Sequence, residues 1–228
     1  MDVRTAPHVD PDEAVRPRSH AARRARSRAA ILESAARWIS RTGFAHLNLE
    51  QVARDAGYTR GALYHQFKDK EDLGLAVAQW VDDMWRAEVG ALIDQQTEPL
   101  DALLALARGH AVFCRRDVAR VVMALRVEFG DSDHPIGREV ERIGESGIKR
   151  VAKLITAGRR SGSIPPGPSA RVLARAFVGA VEGTVIAIAG QKPHDEALAM
   201  RAAAGVLGVA PQPEPEIARS PTRRTTTT

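Results

Sequence analysis

The chain has 228 residues, of which 44% are hydrophobic and 27% charged, with one cysteine and a formal net charge of +5. The hydrophobic share is enough for a folded core, and a single cysteine excludes a disulfide framework or a multi-cysteine metal site, which favours a cytoplasmic protein. No apolar run is long enough to predict a membrane span, and the first twenty residues lack the apolar segment of a secretory signal.

The positive charge is concentrated in one segment of the chain. Residues 20–70 contain ten basic and four acidic residues, a net charge of +6, so that the remainder sums to −1. A basic block on an otherwise neutral chain is typical of a nucleic-acid-binding surface. On charge alone, a solvated arginine-rich surface is an equal alternative.

Both ends of the chain lack apolar periodicity. Residues 1–20 and 209–228 are rich in proline, arginine or threonine, so we expect a disordered arm and a disordered tail. Two interpretations of the basic arm stay open, a contact in the minor groove of DNA and a solubilising tail, and the tail is favoured for residues 1–20.

Helical periodicity begins after the arm. The first helix has an apolar stripe of Ile31, Ala35, Trp38 and Ile39 and is expected to end at Gly43, in the left-handed conformation that glycine favours.

Three capped helices follow the first one. Asn48 is expected to cap a short second helix, with Gln51 returning a hydrogen bond as in a capping box. Thr59 is expected to cap a third helix through about Gln66, and Asp69 a long fourth helix.

Five further helices are predicted beyond Thr97. They cover about 100–114, 117–128, 136–160, 170–189 and 195–207, with Ser169 and Asp195 as expected caps of the last two. About nine helices and no credible strand result. The predicted fold is therefore all-α.

The second and third helices have the size and spacing of a helix-turn-helix, whose second helix presents its amino end to base edges in the major groove. Arg60 can form two hydrogen bonds with guanine, and Gly61 lets the backbone approach DNA closely. Thr59, Tyr64 and Lys68 suit phosphate contacts. A plain helical hairpin with exposed polar residues is the alternative.

The run FAHLNLEQVARDAGYTRGALYHQFKDKEDLGLAV closely resembles the DNA-binding domain of the TetR family of bacterial transcriptional regulators. The resemblance covers about residues 24–84 and includes A-x-x-A-G and G-A-L-Y-H-x-F-x-x-K-x-x-L. It implies DNA contacts by Asn48, Thr59, Arg60, Gly61, Tyr64, His65 and Lys68. Asn48, Tyr58 and Arg60 depart from the residues usual at their positions, so the operator sequence is not predictable.

The resemblance also implies the domain organisation and the biological role. A helix-turn-helix domain spans 21–70 and continues into a linking helix to about residue 90, and a helical effector-binding and dimerisation domain spans 91–208. The expected protein is a homodimeric repressor, released from a palindromic operator by a small-molecule effector, with no cofactor. The alternatives are an activator and a DNA-organising protein without sequence preference.

Two sets of residues are candidates for the second domain. The dimer interface is expected from the last two long helices, since helix 170–189 is apolar nearly all round, with the residues Leu173, Phe177, Val181, Val185 and Ile188. The candidate effector pocket consists of Trp80, Trp85, His110, Phe113, Met123, Phe129 and Phe177. An ordinary core position is favoured for each of the large apolar candidates, and a hydrogen-bonded or partly exposed histidine is favoured for His110.

Other functional readings have less support. The seven histidines show no metal-ligand spacing, and the motifs of phosphate-binding loops, serine hydrolases and zinc proteases are missing, so no metal site and no enzyme are predicted. An inert buried thiol is favoured over a redox sensor for Cys114. Glu182 lies in an apolar helix, where pairing across a dimer, an effector contact and simple solvent exposure all stay open.

Overall fold

The computed structural model describes residues 16–130 and 132–210, and within these ranges it contains helices and no strand. The all-α prediction is confirmed. The elements are α1 (Arg16–Thr42), α2 (Leu49–Asp55), α3 (Arg60–Tyr64), α4 (Lys70–Trp85), a π-helical turn (Arg86–Gly90), α5 (Ala91–Asp94), α6 (Pro99–Phe113), a 3-10 turn (Asp117–Arg120), α7 (Val121–Phe129), α8 (Pro135–Ser161), α9 (Ala170–Ile188) and α10 (His194–Leu207).

Several elements join without a break. Helix α4, the π-helical turn and α5 run continuously over residues 70–94, and the 3-10 turn continues into α7. The described part of the chain therefore has nine uninterrupted helical stretches, the predicted number. None of these helices combines the length and the apolar character that a membrane crossing requires.

The chain divides into two compact units. The described residues within Met1–Trp85 and Arg116–Glu145 form the N-terminal unit, and those within Arg86–Arg115 and Ser146–Thr228 form the C-terminal unit. The sequence-based division placed residues 116–145 with the second domain. They pack with the first because of long-range contacts: Arg41 pairs with Asp117 at 2.7 Å, and the backbone N–H of Phe44 donates to Glu128 Oε2 at 2.8 Å.

The first helix starts earlier than predicted. Helix α1 begins at Arg16, so residues 16–20 belong to it and not to a disordered arm. Residues 1–15 and 211–228, the rest of the predicted arm and most of the predicted tail, lie outside the described residues.

The apolar stripe of α1 forms part of the core of the N-terminal unit. Ile31, Ala35 and Ile39 are fully buried, as predicted. Trp38 is only half-buried, because its indole Nε1 donates a hydrogen bond to Asp55 Oδ2 at 2.8 Å on the rim of the core.

Local capping matches most of the sequence predictions. Gly43 follows α1 with φ of 81°, in the left-handed region, and its N–H donates to Ile39 O. The carboxylate of Asp69 accepts from the N–H of Asp72 at 2.8 Å, and Ser169 Oγ accepts from the N–H of Val172. Asp69 and Ser169 each accept from a backbone N–H that the first helical turn leaves without a partner.

The predicted cap of the last helix is wrong. Helix α10 begins at His194, one residue before Asp195, and the Asp195 carboxylate serves a different purpose. It is completely buried and accepts two hydrogen bonds from the guanidinium of Arg115, from Nε and Nη2, both at 2.8 Å. The N–H of Gly190 donates to the same carboxylate at 3.1 Å.

This paired carboxylate links α10 to the end of α6 inside the C-terminal unit. The hydrogen bonds from Arg115, together with those from backbone N–H groups, lower the pKa of Asp195 to about 2. A carboxyl group with a lowered pKa stabilises the folded state above its ordinary pKa near 3.8, and this contribution is lost as the pH falls toward 2.

We predict that Asp195→Asn lowers the free energy of unfolding by about 2–3 kcal/mol at pH 7, because it removes the buried carboxylate that pairs with Arg115. The loss stays below that of a fully unpaired buried charge, since Glu196 Oε1 remains 2.5 Å from the guanidinium. The variant should also lose part of the acid dependence of stability below pH 4. Urea unfolding followed by circular dichroism at several pH values measures both effects. Asp133→Asn, on a side chain that is 93% exposed, is the matched control and should change stability by less than about 0.5 kcal/mol. Equal effects of the two substitutions would contradict this account.

Candidate nucleic-acid interface

The start of α2 is fixed by Asn48. Its backbone is extended, and its side-chain Oδ1 accepts hydrogen bonds from the N–H groups of Glu50 at 3.0 Å and Gln51 at 3.1 Å. The predicted N-cap is confirmed. The side chain of Gln51, however, donates to Asp55 Oδ1 at 2.8 Å, so the predicted capping box is wrong.

A contact with another helix explains the hydrogen bond between Gln51 and Asp55. Asp55 lies one turn further along α2, and it also accepts from the indole of Trp38. These two hydrogen bonds, the one from Trp38 first, lower the pKa of Asp55. The negative carboxylate therefore draws the Gln51 amide along the helix and away from the cap.

A tight turn joins α2 to α3. Gly57 has φ of 77°, a conformation that side chains disfavour, and the N–H of Tyr58 donates back to Ala53 O. Thr59 then caps α3, its Oγ1 accepting from the N–H of Ala62 at 3.2 Å, as predicted. Helix α3 ends at Tyr64, two residues before the predicted end, a difference within the usual uncertainty of helix boundaries.

Helix α3 has a buried side and an exposed side. Leu63 is fully buried, and Phe67 just after the helix is 1% exposed. Arg60, Gly61 and His65 are exposed, and Tyr64 is 43% exposed. All of the sequence-predicted DNA contacts are exposed in the structure, namely Asn48, Thr59, Arg60, Gly61, Tyr64, His65 and Lys68.

Arg60 is held by two neighbours. Its Nη1 lies 2.5 Å from Glu50 Oε1, and its guanidinium carbon lies 5.3 Å from the centre of the Tyr64 ring. A hydrogen bond with Tyr64 and the negative charge of Glu50 raise the pKa of Arg60, so the guanidinium stays charged. We call Glu50, Arg60 and Tyr64 the Arg60 cluster.

Glu50 was not predicted from the sequence. It lies ten residues before Arg60 on a different helix, and no helical spacing rule connects the two residues. The only sequence signal is an acidic residue within an otherwise basic segment. In the structure the Glu50 carboxylate holds one side of the Arg60 guanidinium through Nη1.

The candidate effector-pocket residues are divided between the two units. Trp80, Trp85, Met123 and Phe129 belong to the N-terminal unit, and His110, Phe113 and Phe177 to the C-terminal unit. The effector pocket therefore remains a prediction.

Several of these side chains have core partners of their own. The Phe129 ring lies 5.3 Å from the Phe44 ring and 4.4 Å from the His134 ring. Phe113 and Phe177 are 3% and 0% exposed. Burial lowers the pKa of His110 to about 4, so it is neutral near pH 7, and its Nε2 lies 3.5 Å from Cys114 Sγ. Cys114 itself is half-buried.

The predicted dimer-interface residues of α9 differ in their exposure. Phe177, Val181 and Val185 are 0%, 2% and 6% exposed, because they pack inside their own unit. Leu173 and Ile188 are half-buried. The large apolar side chains of α9 that face solvent are instead Val172 and Ile186, which are 58% and 68% exposed.

Comparison with known proteins finds similarity to bacterial transcriptional regulators. A family profile described as "Bacterial regulatory proteins, tetR family" matches residues 31–77, which include α2 and α3. The fatty acid metabolism regulator protein of Bacillus subtilis (strain 168) is 19% identical over 161 residues, covering 68% of this chain and 79% of that protein. The HTH-type transcriptional regulator AcrR of Shigella flexneri is 49% identical over 43 residues, covering 19% of this chain and 20% of that protein.

Solved structures share the fold over most of the chain. A TetR-family transcriptional regulator from Streptomyces coelicolor has a TM-score of 0.68 and 23% identity, covering 81% of this chain and 95% of that one. AibR, crystallised with isovaleryl coenzyme A and operator DNA, has a TM-score of 0.62 and 21% identity, covering 80% of this chain and 96% of that one.

The Arg60 cluster leads to a prediction about base preference. Arg60→Ala should remove the preference for one guanine in the bound DNA, a loss of about 1–3 kcal/mol of discrimination. Glu50→Gln should weaken the same preference, because the guanidinium loses the carboxylate that orients it. It should also strengthen binding to scrambled DNA, since a negative charge leaves the DNA-facing surface.

Fluorescence anisotropy with a duplex selected by the protein, and with a copy changed at that guanine, measures the preference. In the Arg60→Ala background, Glu50→Gln should have no further effect on it. Glu33→Gln removes a carboxylate that pairs with Arg37 on α1 and is the matched control. If Glu50→Gln changes the base preference equally in the wild type and in the Arg60→Ala background, then Glu50 does not act through Arg60.

Proposed function

We propose that the chain is a transcriptional regulator of the TetR family, a homodimeric repressor that binds a palindromic operator and is released by a small-molecule effector; the profile match, the relatives and the shared fold support this proposal. Its activity is DNA binding and not enzymatic catalysis. The observation that supports the proposal most directly is that Arg60 is charged and exposed at the amino end of α3. The position of this helix is fixed by the buried side chains of Leu63 and Phe67.

Arg60 and Gly61 are proposed to face the base edges. The guanidinium of Arg60 pairs with one carboxylate oxygen through Nη1 and has further N–H donors with which to reach guanine O6 and N7. A Cβ on Gly61 would have a single neighbour within 4 Å, Thr59 Oγ1 at 3.9 Å. The absence of a side chain there is not required by packing, which agrees with a role in close approach to DNA.

The remaining exposed residues are proposed to hold the DNA backbone. Thr59, Tyr64 and Lys68 carry hydroxyl or ammonium groups suited to phosphate oxygens, and His65 and Asn48 flank them along the chain. Such contacts fix the register of α3 in the major groove and carry no sequence information of their own.

Two-fold symmetry follows from the proposed homodimer. Two copies of α3 related by a two-fold axis read two half-sites about one helical turn, 34–36 Å, apart, so the operator is expected to be palindromic. Leu173 and Ile188 remain candidates for the interface, and the exposed Val172 and Ile186 of α9 join them.

The proposed effector acts by binding one conformation of the dimer better than the other, which shifts the population away from the DNA-binding form. Acyl-coenzyme A thioesters are the first compounds to test. This choice is supported by the complex of AibR with isovaleryl coenzyme A and by the name of the Bacillus subtilis relative.

Selection of DNA from a random pool by the purified full chain tests the proposal. The expected result is an enriched palindrome that binds at least a hundredfold more tightly than a scrambled duplex at moderate salt, and that is released by an acyl-coenzyme A. Equal binding of both duplexes would contradict the repressor proposal and support the alternative of a DNA-organising protein without sequence preference. Transcription of a reporter behind the selected palindrome should fall when the protein is present, whereas a rise would identify an activator.

The phosphate role of Lys68 gives a separate prediction. Lys68→Ala should weaken binding to the selected and the scrambled duplex by the same factor and lower the slope of log affinity against log salt by about one. Anisotropy titrations between 50 and 200 mM salt measure the slope. Lys153→Ala, at an exposed lysine of α8, is the matched control and should leave the slope unchanged. A loss at Lys68 that is confined to the selected duplex would show that the residue reads bases.

A further inference from the structure

A groove runs between α1 and α3. It has a volume of about 520 Å³. One wall comes from the amino-terminal half of α1, and the other from α3 and the turns beside it. The lining residues are Arg23, Arg24, Ser27, Tyr58, Ala62, His65 and Gln66. We call it the α1–α3 groove.

The α1 wall of the groove is strongly positive. Residues 16–32 contain no acidic residue, and Arg23, Arg24 and Arg26 are all exposed. Among the described residues, none of these three arginines forms an ion pair with a carboxylate. Clustered cations on one helix repel one another. Such a cluster is expected to stabilise binding of a polyanion far more than it stabilises the fold.

The groove is fixed in shape by contacts between its two walls. Gln66 Nε2 donates to Ser27 Oγ at 2.8 Å, and Arg28 Nη1 donates to Gln66 O at 3.4 Å. The Arg28 guanidinium also lies 4.5 Å from the centre of the buried Phe67 ring. Phe67 is part of the same segment as α3, so the basic turns of α1 keep a defined position relative to the recognition helix.

The opposite wall borders the proposed DNA-binding face. His65 lines the groove and follows directly after Tyr64 at the end of α3. Tyr64, which is proposed to contact a phosphate, directly precedes His65 in the chain, so the groove lies beside the proposed path of the DNA backbone. The occupant that fits the charge and the position is therefore the DNA backbone.

We propose that the α1–α3 groove binds the DNA backbone, with Arg23 and Arg24 each contacting a phosphate next to the sequence that α3 reads. This inference rests on the proposed function and extends it, because it makes α1 a second DNA-contacting element beyond the helix-turn-helix. Arginine suits the site, since its planar guanidinium offers paired donors to phosphate oxygens.

The test compares the salt dependence of binding for full-length variants. Arg23→Gln combined with Arg24→Gln should lower the slope of log affinity against log salt by about 1.8, and weaken binding roughly tenfold or more at 0.1 M salt. The loss should be equal on the selected and the scrambled duplex. The double lysine variant, Arg23→Lys with Arg24→Lys, keeps both charges and should retain the slope.

The matched control lies on the same helix. Arg37→Gln combined with Arg41→Gln removes two arginines from the carboxyl-terminal half of α1 and should leave the slope unchanged. Thermal unfolding followed by circular dichroism verifies that every variant is folded. As a second measurement, neutral methylphosphonates placed singly beside the selected sequence should weaken the wild type at the contacted positions and leave the double glutamine variant unaffected.

Two results would overturn the inference. An unchanged slope and affinity in the double glutamine variant would show that the groove is only a solvated surface, and a loss confined to the selected duplex would show that it reads bases. If the proposed function is wrong, the wild type itself shows no preference for the selected duplex over the scrambled one. The slope on scrambled DNA still decides the role of the groove in that case.

Discussion

The burial of Leu63 and Phe67 is the interaction on which the proposed DNA-binding surface depends. Helix α3 has five residues, far too few for a helix that is stable on its own. It keeps its place because Leu63 is fully buried and Phe67 is 1% exposed in the core of the N-terminal unit. With Leu63 directed inward, helical geometry directs Gly61 to the opposite side of the helix and Tyr64 to its flank. Arg60, at the first position of the helix, is exposed as well. The same packing that completes the core therefore exposes the face of α3 that is proposed to contact DNA.

The parts of this arrangement that depend on neighbouring residues were predictable from the sequence. Asn48, Thr59, Asp69 and Ser169 are caps in the structure because the N–H groups that they accept from lie two or three residues away. The left-handed glycines at the ends of α1 and α2 follow the same logic. Helical periodicity likewise predicted the buried stripe of α1.

The parts that depend on distant residues were not predictable. Gln51 turns toward Asp55 because Trp38 on another helix holds that carboxylate, and Arg60 pairs with a glutamate ten residues away. Asp195 is occupied by Arg115, 80 positions earlier, instead of capping its helix. Helix α9 is apolar nearly all round, so periodicity did not reveal that Phe177 faces the interior of its own unit.

The central claim is that Arg60, oriented by Glu50 and Tyr64, reads a guanine in the major groove. Methylation interference at guanine N7 tests it most directly, because N7 is one of the two acceptors that the arginine would use. We expect methylation of one guanine in each half-site to block binding of the wild type and to leave binding of Arg60→Ala unaffected. The absence of any interfering guanine, or the same interference pattern in both proteins, would contradict the claim.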